Sequence, residues 1–318
     1  MSLGLSGNGN RRPSPLRPGS FAFENPVTPM DDEVHPVIHE GRVAVITGAA
    51  SGIGRAAAVE LAKIGLKIAI ADVNEAGLRE TGAEVAQIVG EANVLVVPTD
   101  VSQLDQVVRL REKVFEAWGE VGVLMNNAGI GPKGTSWEGL DQWHQVFDVN
   151  VFGIVNVQQT FVPSMLHQEN RRSSSTRDRN RALRPPGNAA YNASKAAVKS
   201  LTEGLAHELR NTPSANLTPH LLIPGWVYTG LTGAAPGKEK PAGAWTAQET
   251  VLYMLDAVRQ GKFYILCPDN ETRREVDQLR IMWAAGDVAE GRPALSRWHR
   301  DYKALFEEYI KDGLAQLD

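Results

Sequence analysis

The chain has a single cysteine, Cys267, and no CxxC or HExxH pattern, which excludes an intramolecular disulfide framework and the usual zinc sites. No apolar run reaches the roughly 20 residues that span a bilayer. Residues 1–40 also lack the continuous apolar core of a signal peptide. Net charge is scarce as well: 33 Lys plus Arg against 37 Asp plus Glu leave −4 over 318 residues, so neither nucleic acid nor a membrane surface is an expected partner. No internal repeat of the solenoid kind is present. What remains, 42% hydrophobic and 22% charged residues, is the composition of a folded globular chain. The expectation is a soluble, cytoplasmic protein without a metal.

Residues 1–40 are rich in Gly, Pro, Ser and Arg, turn acidic at Asp31, Asp32 and Glu33, and read as a disordered extension. His35 and His39 stand four apart, but no third ligand is preorganised beside them. From Gly41 the texture changes. Residues 43–46 are a short apolar run ending in glycines, and Ala57, Leu61 and Ile64 recur at helical spacing. Residues 67–71 are a second apolar run closed by Asp72, which completes a βαβ unit. Further strands are predicted at 94–97, 121–125, 217–223 and 263–266, and helices from Glu75 and over 103–118, 140–168, 188–210 and 246–259. Strands alternating with helices predict an α/β fold, a doubly wound parallel sheet with helices on both faces. Residues 41–268 read as one such domain. Residues 269–318, with helices near 271–285 and 296–311, read as a helical extension packed on it.

Thr47–Gly54 reads TGAASGIG, so Gly48, Gly52 and Gly54 lie between a strand and a helix, with Ser51 and Ile53 among them. Glycines there let the backbone approach a pyrophosphate, which then sits on the free N–H groups of the helix. A close helix-to-strand crossing is the alternative. Asp72, 18 positions after Gly54, can accept hydrogen bonds from both ribose hydroxyls of an adenosine and would repel a 2′-phosphate. Ala71 and Val73 flank it and position 51 is Ser, so no basic residue balances that repulsion, and NAD is favoured over NADP.

Tyr191 and Lys195, four apart on a predicted helix, share one face. Bringing a tyrosine from its usual pKa near 10 to about 7 takes about 4 kcal/mol of phenolate stabilisation. One ammonium at about 4 Å supplies about that much at an effective dielectric near 20. A chance pair on a solvated face is the alternative. Asn126, Asn127, Ala128 and Gly129 follow the fourth strand and either line a cofactor cleft or make an Asn-rich turn. Asp100 and Val101 follow the third and fit an adenine pocket or a simple turn. Pro224, Gly225, Val227 and Thr229 follow the sixth and can present backbone and hydroxyl groups to a nicotinamide carboxamide. Asn150, a poor helix former inside a predicted helix, marks a kink or a buried hydrogen bond.

In this order, TGxxxGxG at Thr47, Asp72, Asp100, NNAG at Asn126, Asn150, YNASK at Tyr191 and PGWVYT at Pro224 resemble the classical short-chain dehydrogenase/reductase family over about residues 41–267. The resemblance implies a Rossmann-like sheet of seven parallel strands with NAD(P) at the strand C-termini. It implies an oxidoreductase that moves a hydride between nicotinamide and a secondary alcohol or ketone. Tyr191 matches the acid/base, Lys195 the residue that lowers its pKa and binds the nicotinamide ribose, and Asn150 the holder of a proton-relay water. A homo-oligomer, dimer or tetramer, packed through helices 140–168 and 188–210 is also implied. A cofactor-binding protein without catalysis is the alternative; the extended epimerase branch spaces its glycines differently. The substrate is not legible: Trp137, Trp226, Trp245, Trp283 and Trp298 are either pocket walls or helix packing. Cys267 reads as a small core residue.

One segment departs from the family. Its serine lies about thirteen residues before the tyrosine, at the end of an apolar fifth strand, and here 191 − 13 = 178 is Asp178. Residues 171–184 read RRSSSTRDRNRALR, six arginines and an aspartate, a composition incompatible with a central strand buried on both faces. The segment is a solvated basic insertion, a phosphate- or nucleic-acid-binding patch, or a stretch read in the wrong frame. Synonymous codons allow the frame that starts at the third base of the Arg171 codon to read Ala-Leu-Ile-Val-Asn-Thr-Gly-Ser-Lys-Gln-Gly-Ile-Thr. That is an apolar strand followed by a serine, whose codon would be shared by Asp178 and Arg179, just before Pro185 and Pro186.

Overall fold

A computed structural model describes residues 35–168, 172–177, 186–213, 215–235 and 237–316, with 172–177 as backbone. The apolar run predicted at 43–46 forms strand β1 (Val43–Thr47), buried along its whole length. With β2 (Lys67–Asp72), β3 (Val94–Pro98), β4 (Val123–Asn126), β5 (Arg172–Arg177), β6 (Leu217–Ile223) and β7 (Tyr264–Leu266) it makes one sheet in the order β3-β2-β1-β4-β5-β6-β7. Every pairing is parallel. The order reverses between β1 and β4, and a crevice opens at the carboxyl ends of the strands at such a point.

Burial on both faces follows the strand's period of two. Ala44 and Ile46 of β1 join one cluster with Ile53 and Leu61 of α1 (Gly52–Lys63), Leu78 of α2 (Glu75–Val89) and Met254 of α7 (Ala247–Arg259). Val43 and Val45 join the other, with Leu110 of α3 (Leu104–Trp118), Phe161 of α5 (Gly153–Leu166) and Leu209 of α6 (Ala189–Arg210). The three-layer α/β fold expected from the alternation of strands and helices is therefore present.

Four expectations are corrected. The helix expected over 140–168 is α4 (Leu140–Phe147) and α5, joined by a π-helical turn over Asp148–Phe152 that contains Asn150. The backbone of 172–177 does occupy the central fifth-strand slot, paired to β4 and β6. Ladder hydrogen bonds are made by the main chain, which any residue but proline supplies, so composition alone does not bar a segment from the slot. Asp178 and the rest of 178–185 lie outside the described residues, as do 1–34.

The sheet-bearing unit also begins before Gly41, because Val37 and Ile38 are only 3% and 4% exposed and belong to the first cluster. Two apolar residues carry no period, and so the sequence pattern hides them. Finally, the C-terminal unit begins at Glu275 rather than 269, since Asp269–Thr272 is bonded into the sheet unit. That second unit has its own small core. In it Trp283 of α8 (Arg274–Ala289) lies 5.2 Å from the ring of Tyr309 on α9 (Lys303–Ala315), and the Arg292 guanidinium stacks 3.9 Å from the Trp283 ring. Trp283 is thus packing rather than a pocket wall.

The early segment carries a pH dependence. His35 Nδ1 accepts the backbone N–H groups of Val37 and Ile38 at 3.2 and 2.9 Å, which requires a neutral ring. Burial first, then the positive charges of Arg259, His220 and His39, lower its pKa to about 4. Burial also lowers that of His220. A depressed folded-state pKa means stability that is fully present above about pH 6.5 and lost as pH falls toward about 4. After allowance for the ring's partial exposure, His35 contributes on the order of 1 kcal/mol of that loss. Urea unfolding at about pH 7.5 and about pH 5 should show a smaller difference for His35→Asn than for the native chain, the remainder belonging to His220.

Candidate active site

The turn from β1 to α1 is shaped by its glycines. Gly48 has φ +65°, and a Cβ there would sit 2.7 Å from Ala128 Cα. A Cβ on Gly54 would overlap the carbonyl oxygen of Gly48, so the turn closes only with glycine at both places. Ser51 precedes α1 in extended backbone without a side-chain cap bond, and the first turn holds no acidic residue. The first N–H groups of α1 and its positive dipole end are thus available to an anion. Thr47 joins this turn to the one after β4: its hydroxyl accepts the N–H groups of Asn127 and Ala128 at 3.0 and 3.1 Å. The Asn127 amide donates back to the carbonyls of Thr47 and Gly48 at 3.0 and 3.1 Å.

The acidic residues sit at strand ends. Asp72 accepts the N–H of Ala50 at 3.0 Å on one oxygen and that of Asn74 at 2.9 Å on the other, which holds the carboxylate at the rim. Asp100 accepts the N–H and hydroxyl of Ser102 at 2.9 and 2.7 Å. Val101 beside it is 5% exposed. Gly48, Ser51, Gly52, Ile53, Asp72, Asp100, Val101, Asn127, Ala128, Gly129 and Thr229 line one cleft of about 350 Å³ at the carboxyl ends of the strands. Pro224, Gly225 and Val227 form the buried base of the loop that carries Thr229 to that cleft.

Asn150 and Lys195 meet beside Gly129, and Lys195 in turn reaches the ring of Tyr191. A Cβ on Gly129 would lie 3.2 Å from Asn150 Oδ1 and 3.6 Å from Lys195 Nζ. The π-turn brings the Asn150 amide inward, fully buried. It accepts the N–H of Ile130 at 2.8 Å, and it donates to the Ile130 carbonyl at 2.9 Å and to Ser194 Oγ at 3.1 Å. Ser194 Oγ in turn donates to the carbonyl of Tyr191 at 2.8 Å, so one chain of bonds ties the break between α4 and α5 to the turn of α6 that bears the tyrosine. Lys195 is 4% exposed, with its Nζ 5.5 Å from the centre of the Tyr191 ring. Gly131 leaves room on the other side: its Cβ would be 3.2 Å from both Tyr191 Cδ2 and Leu231 Cδ1.

Sequence reasoning missed several cleft residues, among them Ile130, Gln145, Val149 and Leu231. Gln145 and Val149 are four apart and five and one before Asn150, a helical spacing that could have flagged them. Leu231 carries no such signal. Ser194, three residues after Tyr191, falls within the YNASK stretch, where nothing local signals its bond to Asn150. No tryptophan is among the lining residues described. Cys267 is buried and its thiol is pushed up to about 12, which leaves no thiolate at neutral pH. Among the described residues no group of three or more His, Cys, Asp or Glu is arranged to hold a metal, and no helix is long and apolar enough to cross a membrane.

Comparison with known proteins matches residues 42–240 to the short chain dehydrogenase family model. The chain is 33% identical over 224 residues to 3-oxoacyl-[acyl-carrier-protein] reductase of Thermotoga maritima, covering 70% of this chain and 86% of that one. It is also similar to a short chain dehydrogenase/reductase from Burkholderia phymatum solved in complex with NAD, with a TM-score of 0.71 and 33% identity, covering 80% of this chain and 96% of that one. An alcohol dehydrogenase of Thermococcus sibiricus complexed with 5-hydroxy-NADP has a TM-score of 0.61 and 29% identity, covering 69% and 89%.

Proposed function

The chain belongs to the short chain dehydrogenase family of nicotinamide-dependent oxidoreductases, and we propose that it interconverts a secondary alcohol and a ketone with NAD as its preferred cofactor. The observation that carries the reading is the run of contacts from Gly129, which shares the cleft wall with Asp72, to Asn150 Oδ1 and Lys195 Nζ, and from Lys195 to the Tyr191 ring. The residues fit a dinucleotide. The glycines at 48 and 54 let the turn close tightly against the chain's own backbone, which leaves the N–H groups and positive end of α1 at the cleft for a pyrophosphate. Asp72 holds the adenosine ribose, and Thr229 with its loop faces the nicotinamide end. When bound, the nicotinamide supplies the hydride chemistry.

The chain's own residues supply the proton chemistry and the alignment. Tyr191 takes the hydroxyl proton in oxidation and returns it to the oxygen in reduction, and the buried Lys195 ammonium makes the tyrosinate accessible. Asn150 and Ser194 fix the tyrosine's turn against Ile130. Like chains assemble through α5 and α6 in the same reading, which sedimentation velocity tests.

Exchanging Asp72 for Ala tests the cofactor preference. The Kd for NAD should rise about tenfold, as expected for a lost pair of charge-assisted hydrogen bonds. That for NADP should fall or stay level, since the repulsion is gone. Equal weakening of both would remove NAD as the preferred cofactor. A second reading, cofactor binding with impaired catalysis, is favoured by one observation: Asp178 stands where the family's serine would be. Binding of NAD without any turnover of secondary alcohols would select it.

A further inference from the structure

We propose that Asp269, which lines no part of the cleft, is the positioning residue that sets the cofactor-binding loop after β6 at its working distance from the nicotinamide site. The inference rests on the reading that Thr229 faces the nicotinamide. Asp269 follows β7, is 7% exposed, and spends its carboxylate on three backbone donors from two loops. One oxygen accepts the N–H of Trp226 at 2.9 Å, and the other accepts those of Glu271 and Thr272 at 3.0 and 2.8 Å. Trp226 lies three residues before Thr229 in the loop.

The contact is built closely. A Cβ on Gly225 would sit 2.9 Å from the carbonyl oxygen of Pro268 and 3.0 Å from Asp269 Oδ2, so glycine is what lets the turn reach the carboxylate. The far side of the loop is held too. Trp245 donates its N–H to the Trp226 carbonyl at 2.8 Å and accepts that of Tyr228 at 2.8 Å. The Trp245 indole donates to the side chain of Asn270, the neighbour of Asp269, at 3.0 Å. Residues 226–228 are therefore clamped between two segments that both depend on 269–270. Beyond the clamp, the Thr232 hydroxyl donates to the Val227 carbonyl and accepts the N–H of Thr229, which carries the restraint to the cleft wall.

In Asp269→Asn the single amide oxygen cannot serve donors on both sides, whichever way the amide turns. Gly225→Ala crowds the same contact while leaving the carboxylate chemically intact, and serves where the first variant does not fold. The probes are NAD and ADP-ribose, titrated calorimetrically against the full chain. ADP-ribose lacks only the nicotinamide ring, so it reads every contact of the dinucleotide except those to that ring. Each variant should weaken NAD about tenfold while ADP-ribose stays within about twofold of native. A merely structural role would weaken both together, and that outcome, or an unchanged NAD affinity, overturns the proposal. If the native chain binds ADP-ribose but gains nothing from the nicotinamide half, the clamp falls with it. If it binds neither, the cofactor reading itself fails.

Discussion

Replacing residues 171–183 by Ala-Leu-Ile-Val-Asn-Thr-Gly-Ser-Lys-Gln-Gly-Ile-Thr should raise NAD-linked oxidation of a secondary alcohol about 100 to 1,000-fold, the usual worth of one donor on the reacting oxygen. The backbone gives the reason. β5 lies between β4, whose four residues are all buried, and β6, whose last four are buried as well. Central strands of a sheet covered on both faces are apolar as a rule, whereas the sequence over 172–177 is arginine, serine and threonine. The shifted frame offers Leu, Ile and Val at 172–174, opposite Val123 and Leu124, which pair with 173 and 174. It then offers serine at 178, the first position in sequence past the strand's last residue.

Three buried aliphatic side chains contribute about 5 kcal/mol together, which in a chain of this size raises Tm on the order of 10 °C. The single change Asp178→Ser should recover part of the rate and none of the stability, since it supplies the hydroxyl without the strand. The coding DNA across residues 165–190 should carry offsetting frame changes at its two ends. A verified continuous frame, together with no gain in either rate or Tm from the replacement, would show that the Arg-rich strand is genuine and that catalysis does not use a serine there.

The parts legible in the sequence are those whose signal is local. The glycines of 48–54 betray a turn because a Cβ at 48 or 54 would meet backbone, and Asp72 betrays a strand end, where its carboxylate is held by the N–H groups of Ala50 and Asn74. Asn150 was legible as a misfit in a helix, and both of its readings hold at once, a π-helical break and a buried hydrogen bond. What stayed hidden depends on partners far apart in the chain. The Trp226 and Asp269 pair is 43 residues apart, the Asn150 and Ser194 pair 44, and nothing in either local window announces its partner. Val37 and Ile38 hide for a different reason, being too few to show a period. The fifth strand is the converse case: composition argued against a strand that the main chain forms, because the two facing ladders of β4 and β6 leave a slot of fixed width.

Removing the Tyr191 hydroxyl should separate chemistry from binding. Tyr191→Phe keeps the ring against Gly131 and over the Lys195 ammonium, so the packing of that corner and the affinity for NAD should stay near native. Turnover should fall about 1,000-fold, in line with the worth of a positioned acid/base. The comparison is sharpest in the chain with residues 171–183 replaced, where the starting rate is high. Lys195→Met is expected to act differently. It removes the ammonium that favours the phenolate, so the residual rate should climb with pH toward the range of an ordinary tyrosine, near 10. It should also weaken NAD, because the same ammonium reaches the nicotinamide ribose in the proposed complex. A Tyr191→Phe chain that turns over at the native rate would remove the tyrosine from the proton path. A Lys195→Met chain with native NAD affinity and an unshifted pH–rate curve would leave the lysine as packing alone.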